Sequence, residues 1–172
     1  MPHPICHPAG HSFVPRAQRL PGLADLDPKR FADSTDYLFG VDLYNHGYFW
    51  EAATAFEACL RAVEADRGLE RFFRALIQAS AGQLKVRTGH LDGAASLTAR
   101  ASFLLRACAA DHADSTGPFE SGNPTTLLGI DVAVAARELD AYRHAVMETE
   151  PPGHDPRLFP YLRVVTGPRR LV

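Results

Sequence analysis

Apolar residues recur through the middle of the chain with the spacing of amphipathic helices. The clearest segment has apolar residues at offsets of 0, 3, 4, 7, 10, 11 and 14 from Phe49, which places them on one face of an α-helix. Spacing of this kind predicts five helices, over residues 35–46, 49–65, 69–87, 91–110 and 124–147. We therefore predict an all-α fold, a small bundle of about five helices.

Capping residues and glycines indicate where these helices begin and end. Gly47 follows the first helix, and glycine reaches the left-handed conformation that ends a helix without a steric cost. Asp33 or Ser34 is a candidate N-cap of the first helix. The Asn-Pro pair at 123–124 is a candidate start for the fifth helix. Gly68 is interpreted as the break before the third helix.

The two predicted glycine turns belong to an internal repeat with a constant sequence offset. The repeat pairs Gly40 with Gly82, Gly47 with Gly89, and Phe49 with Leu91. It predicts two stacked helical hairpins followed by a C-terminal helix. The spacing of small and aromatic residues resembles the tetratricopeptide helix pair. That repeat, however, has a period of about 34 residues, which is shorter than the offset between Gly40 and Gly82.

The chain divides into three parts by composition. Residues 1–27 contain five prolines and two glycines, which oppose regular structure and predict an extended or disordered lead. Residues 28–148 are the predicted helical domain. Residues 149–172 are a proline-punctuated tail whose apolar residues predict partial packing on the bundle.

Charge and composition limit the classes of partner. The chain has 18 Lys+Arg against 20 Asp+Glu, so it has no overall positive field to attract nucleic acid or an anionic membrane. No apolar stretch approaches the length of about 18 residues expected of a membrane span, and we expect no signal peptide. Three widely spaced cysteines fit a reducing compartment. We expect a cytoplasmic protein that binds neither nucleic acid nor membrane.

The N-terminal lead contains a group of potential metal ligands, His3, Cys6, His7 and His11. Imidazole and thiolate suit a soft divalent metal. Spacing of four residues presents one face only on a helix, and the prolines between these residues work against a helix. We therefore interpret the group as part of a solvated tail and predict no bound metal or cofactor.

A second set of residues carries a family resemblance over about residues 36–108. The set comprises Leu43-Tyr44-Asn45, Gly47, Tyr48-Phe49, Glu51-Ala52, Glu57, Leu76-Ile77-Gln78 and Gly93-Ala94. It resembles the bacterial and archaeal family known as domain of unknown function 309. Where that family has His-Glu this chain has Ala53-Thr54, and where it has Trp this chain has Leu60. No role of those family residues as a base or metal ligand therefore carries over.

Four polar residues of this set, Asn45, Glu51, Glu57 and Gln78, form the candidate binding pocket. They can donate or accept hydrogen bonds, but none has an unperturbed pKa near neutrality. Glu51 also fits a structural role in the first turn of a helix, where the dipole stabilises a carboxylate. Asn45 fits a second structural role, tying the turn to nearby backbone.

No catalytic residue is assigned, because no nucleophile has an adjacent base in the sequence. Ser80 is a hydroxyl on an otherwise apolar stripe. A buried helical serine commonly donates to the carbonyl one turn earlier. We therefore interpret Ser80 as structural.

Two functions fit these observations. The first is a binding or protein-interaction module that uses the aromatic surface of Tyr48 and Trp50, with an unknown protein or a second copy of the chain as its partner. The alternative is a small-molecule or metal-dependent enzyme whose polar cleft is formed by the first three helices. Because Ala53 and Thr54 replace the polar pair of the family, the sequence favours the interaction module.

Overall fold

The computed structural model describes residues 28–63, 66–113, 125–148 and 159–165. A 3-10 helix at Pro28–Asp33 precedes the bundle. Within the described residues the five α-helices are α1 (Thr35–Asn45), α2 (Phe49–Ala62), α3 (Arg67–Arg87), α4 (Leu91–Ala113) and α5 (Val132–Glu148). The predicted all-α fold is confirmed, and each helix packs mainly against the helices next to it in the sequence. The predicted lead, residues 1–27, lies outside the described residues.

The turn between α1 and α2 is closed by two backbone hydrogen bonds. Tyr48 N donates to Leu43 O at 2.9 Å, and Gly47 N donates to Tyr44 O at 3.0 Å. This pair of bonds satisfies the last carbonyls of α1 and requires a left-handed residue. Gly47 supplies it, with a φ of 81°.

The turn between α3 and α4 repeats this arrangement in the second half of the repeat. His90 N donates to Lys85 O at 2.9 Å, and Gly89 N donates to Val86 O at 3.1 Å. Gly89 has a φ of 76°. The internal repeat seen in the sequence is therefore a repeat of turn geometry, and α1/α2 and α3/α4 form two equivalent helical hairpins.

The helices of both hairpins approach closely at a glycine. A Cβ at Gly40 would lie 2.9 Å from Phe56 Cε1, and a Cβ at Gly82 would lie 2.6 Å from Thr98 Oγ1. Phe56 and Thr98 are related by the same sequence offset as the two glycines. Both hairpins therefore have their close helix contact at the same position of the repeat. The likeness to tetratricopeptide repeats stays a prediction.

Aromatic residues dominate the core. Its largest fully buried side chains include Tyr37, Tyr44, Phe49, Phe56, Phe72, Phe73 and Tyr142. The apolar stripe predicted from Phe49 contains two of these residues, Phe49 and Phe56. On α3 the neighbouring residues Phe72 and Phe73 are both buried, because this helix packs against both α2 and α4 and its buried surface is wider than a single apolar stripe.

The predicted start of the fifth helix was wrong. Instead of beginning at residue 124, α5 begins at Val132, after a short antiparallel hairpin of β1 (Thr126–Leu127) and β2 (Ile130–Asp131). The hairpin turns through Leu128 and Gly129, both with positive φ. Asp131 then caps α5, because its Oδ1 accepts from Ala133 N at 3.1 Å and Val134 N at 3.0 Å.

The interpretation of Gly68 as a break was also wrong. Gly68 lies inside the first turn of α3, and the helix is capped one residue before its start by Asp66. Asp66 Oδ1 accepts from Gly68 N at 2.8 Å and from Leu69 N at 3.0 Å. A strong N-cap thus compensates for glycine in the first helical turn.

Residues 159–165 pack on the bundle beside the β1/β2 hairpin. Val164 forms an isolated antiparallel bridge with Ile130, and Val165 N donates to Gly129 O at 2.8 Å. The same hairpin is tied to α1, since Tyr37 Oη donates to Leu128 O at 2.9 Å in the interior. The hairpin therefore connects the first helix with the C-terminal segment.

Candidate functional site

The turn between α1 and α2 presents a row of three aromatic residues. Tyr48 is half-buried, Phe49 is buried, and Trp50 in the first turn of α2 is 45% exposed. Arg87 of α3 braces the turn from below: its Nη1 donates to Gly47 O at 3.0 Å. Its guanidinium also lies 4.8 Å from the centroid of the Phe49 ring. The turn next to Trp50 is therefore held against α3 by a hydrogen bond and a cation–π contact.

Asn45, the first residue of the predicted pocket, binds the C-terminal segment. Its Nδ2 donates to Leu162 O at 2.9 Å, and its Oδ1 accepts from Leu162 N at 2.9 Å. Both ends of the amide are used by one residue. The predicted tie between Asn45 and backbone exists, but its partner lies 117 residues away along the chain.

The two glutamates of the predicted pocket lie on different faces of α2. Glu51 is 5% exposed, whereas Glu57 is exposed to solvent. Six helical residues at about 100° each separate them by roughly 120° around the axis. Gln78 is half-buried on α3, and its Oε1 has no hydrogen-bond partner among the described residues. The four side chains thus differ in their surroundings. Asn45 binds Leu162, Glu51 is buried, and Glu57 is exposed whereas Gln78 is half-buried.

A buried polar group that sequence reasoning missed lies at Tyr44, Gln83 and Tyr142, whose exposures are 0%, 1% and 1%. Burial raises the pKa of Tyr44 far above its usual value, and the neighbouring Tyr142 adds to the shift. Gln83 adjoins the Tyr44 hydroxyl and opposes the shift, although no hydrogen bond of standard geometry joins them. The sequence did contain a signal for the burial of Gln83, because this residue lies on the apolar stripe of α3, ten residues after Phe73.

Three buried side chains that carry nucleophilic atoms are those of Cys59, Cys108 and Ser80. Burial raises the pKa of Cys59 to about 12 and that of Cys108 to about 11, so both thiols are protonated at neutral pH. Ser80 Oγ donates to Leu76 O at 2.8 Å, as predicted. These three groups serve packing and helix geometry.

A small cavity lies among α3, α4 and α5. Its volume of about 10 Å³ is about the least space that can hold one water molecule. Val86, Thr98, Tyr142, Arg143 and Val146 contribute to its lining. It is therefore too small for a metabolite, and none of its lining residues belongs to α1 or α2.

The described residues include neither a cluster of metal ligands nor a membrane-spanning helix. In this part of the chain no three His, Cys, Asp or Glu side chains are grouped so that they could hold a metal ion. The N-terminal group of His3, Cys6, His7 and His11 lies outside it. None of the helices described has both the length and the apolar composition needed to cross a bilayer.

The fold and this site together define an all-α protein with two repeated helical hairpins and a fifth helix. Residues 37–97, from α1 into the first part of α4, match the family described as Domain of unknown function (DUF309). This match confirms the resemblance predicted from the sequence. Neither the curated proteins nor the solved structures contain a match to the chain.

Proposed function

We propose that the protein is a protein-interaction module whose contact surface is centred on Trp50, with Tyr48 beside it. The observation that carries the proposal is the exposure of Trp50, 45%, between the buried residues Phe49 and Glu51. Tryptophan contributes more to protein interfaces than most residues, because a rigid aromatic ring buries a large area on binding.

The rigidity of the turn supports this surface as a place for recognition. Two backbone hydrogen bonds close the turn, and Arg87 holds both Gly47 and Phe49. A side chain presented on a fixed backbone loses less conformational freedom when a partner binds. The entropy lost on binding then offsets less of the favourable free energy of contact.

The partner is a second copy of the chain or another protein with a complementary apolar surface. The nearly balanced charge of the sequence gives no long-range attraction to nucleic acid or anionic lipid, so neither is proposed as a partner. Cys59 and Cys108 are buried thiols that are not in disulfide bonds. They agree with a location in the cytoplasm, which we include in the proposal.

Trp50 itself provides the test, because it is the only tryptophan in the chain. We expect its fluorescence emission to move to shorter wavelength as protein concentration rises or as a partner is added, since binding removes water from the indole. Light scattering on the same samples measures the mass of the complex. Trp50→Ala should lose association and keep the helical circular dichroism spectrum.

A matched control is Phe103→Ala on α4, where another large apolar side chain is 67% exposed. Its removal should leave association unchanged. The proposal would be contradicted by a Trp50→Ala variant that associates as strongly as wild type. Emission that does not change with concentration would contradict self-association.

A further inference from the structure

Residues 160–165 lie on the bundle as an extended peptide lies on a receptor. Pro160 and Leu162 are buried, and Val164 is half-buried, whereas Tyr161 and Arg163 between them are exposed. This alternation has the period of two that is typical of a β-strand. Phe159, which is also buried, lies before it at a turn in which Tyr161 N donates to Phe159 O at 3.0 Å.

The main chain of this segment is bound at two points. Asn45 holds both the N–H and the C=O of Leu162, in the way that a neighbouring strand would. Beyond it, Val165 N donates to Gly129 O. Main-chain bonds of this kind supply affinity in strand-addition complexes, and pockets for alternate side chains supply specificity.

The first side chain of the segment fills an aromatic pocket. The Phe159 ring centroid lies 5.4 Å from that of Tyr44, 5.8 Å from Phe49 and 6.4 Å from Tyr142. Phe159 is 8% exposed. The pocket therefore accepts a large aromatic side chain three residues before the position held by Asn45.

Near the other end of the segment, Arg163 Nη1 donates to Glu138 Oε1 at 2.6 Å. This ion pair is largely exposed, so it selects a basic residue more than it adds affinity. The bundle thus contacts the segment through an aromatic pocket, an amide clamp, an acidic side chain and the turn of the β1/β2 hairpin.

We propose that this surface, formed by Tyr44, Asn45, Phe49, Glu138 and Tyr142 together with β2, is a peptide-binding groove. Residues 159–165 of the same chain occupy it, and residues 159–165 of a second copy occupy it when the chain's own segment is weakened. The second copy is the partner whose fit is established, because it offers the identical segment. Exchange of identical elements is a common route to dimers.

The groove adjoins the Trp50 surface, because Phe49 of the groove lies between Tyr48 and Trp50. Binding by a chain's own segment masks the groove. A tethered segment has an effective concentration in the millimolar range and outcompetes a free copy by about 10²- to 10⁴-fold. The experiment must therefore damage the segment in one chain and the groove in another.

Two full-length variants make this test. Phe159→Ala/Leu162→Ala damages the segment and leaves the groove intact. Asn45→Asp damages the groove, because a carboxylate oxygen then faces Leu162 O in place of the donor. Labelled with a donor and an acceptor fluorophore, the two variants should form a one-to-one complex at least about 10²-fold tighter than labelled wild-type chains do. Each variant alone should remain unassociated.

A fluorescent synthetic peptide of residues 159–165 gives a second measurement. It should bind the Phe159→Ala/Leu162→Ala variant, and adding Asn45→Asp to that variant should weaken binding at least about tenfold. If the double variant fails to fold by circular dichroism, the milder Val164→Ala takes its place. Folded segment variants that bind neither the peptide nor the Asn45→Asp chain would overturn the proposal.

Trp50→Ala introduced into both partners separates this inference from the proposed function. Because Trp50 is not among the residues that form the groove, the one-to-one complex should form unchanged. A complex lost on this substitution would mean that the Trp50 surface, and not the groove, joins the chains, and would also overturn the proposal.

Discussion

Two glycines occupy equivalent turns but have different surroundings. A Cβ at Gly47 would lie 2.4 Å from Arg87 Nη2, whereas a Cβ at Gly89 would have nothing within 4 Å. Both residues have positive φ. Gly89→Ala therefore isolates the strain of the left-handed conformation, and Gly47→Ala adds the displacement of Arg87.

We expect Gly89→Ala to lower the free energy of unfolding by about 1–2 kcal/mol. Gly47→Ala should cost about 1 kcal/mol more, because Arg87 would lose its hydrogen bond to Gly47 O. Urea unfolding followed by circular dichroism measures both values. Equal losses would mean that Arg87 moves aside without cost.

A second residue-scale prediction concerns the glycine crossing in the first hairpin. Phe56 is fully buried and contacts the backbone of α1 at Gly40. Phe56→Ala should reduce the free energy of unfolding by about 3–5 kcal/mol, since it leaves a cavity that the helices fill only partly. Phe103→Ala, at an exposed position, should change it by less than about 0.5 kcal/mol. Similar losses for the two variants would contradict this packing.

At the scale of elements, the position where α5 begins depends on one side chain. Asp131 Oδ1 accepts two backbone N–H groups at the start of α5 and also the hydroxyl of Thr125 at 3.0 Å. Orphan N–H groups at a helix start are satisfied by such a cap. The cap lies immediately after β2, so the hairpin and the helix share this residue.

Asp131→Ala should destabilise the protein by about 1 kcal/mol, and Asp131→Asn should recover most of the loss because its amide oxygen can also cap. Asp66→Ala, at the equivalent cap of α3, should have a similar cost. Asp92→Ala, an exposed acidic residue in the first turn of α4, is the control and should cost less. Thermal and urea unfolding give the comparison; an Asp131→Ala variant as stable as wild type would contradict the assigned cap.

At the scale of the whole molecule, buried thiols couple stability to alkaline pH. The usual thiol pKa of 9.0 rises to about 12 for Cys59 and about 11 for Cys108 in the folded protein. The unfolded chain therefore releases these protons first as pH rises. The stabilisation is fully present below pH 9 and is lost as the pH increases toward 12.

Cys59→Ala removes one of these thiols. The free energy of unfolding of this variant should therefore fall less steeply above pH 9 than that of wild type. Between pH 8 and pH 10.5 the decline in unfolding free energy should be smaller than that of wild type by about 1–2 kcal/mol. Urea unfolding under reducing conditions at both pH values measures the difference. Because tyrosines titrate in both proteins, only the difference between the two declines is interpreted. Identical declines would contradict the shifted pKa of Cys59.

The sequence by itself determined most of the helical scaffold. The 3.6-residue period predicted α1–α4 to within three residues at either end, because helix formation depends on neighbours a few positions apart. The constant offset that relates Gly40 to Gly82 and Gly47 to Gly89 correctly paired the two turns, since a left-handed residue requires glycine locally.

Only the tertiary structure decided where distant segments meet. The start of α5 was mispredicted because the β1/β2 hairpin gains its partners from Tyr37 and Val164, far away in the chain. Asn45 was predicted to line the candidate pocket or to tie the turn to nearby backbone, but its partner Leu162 is 117 residues away. Gln83 lies on an apolar stripe, and its burial depends on packing by three helices. Contacts of this kind leave no periodic signal, because they depend on how the elements fold together.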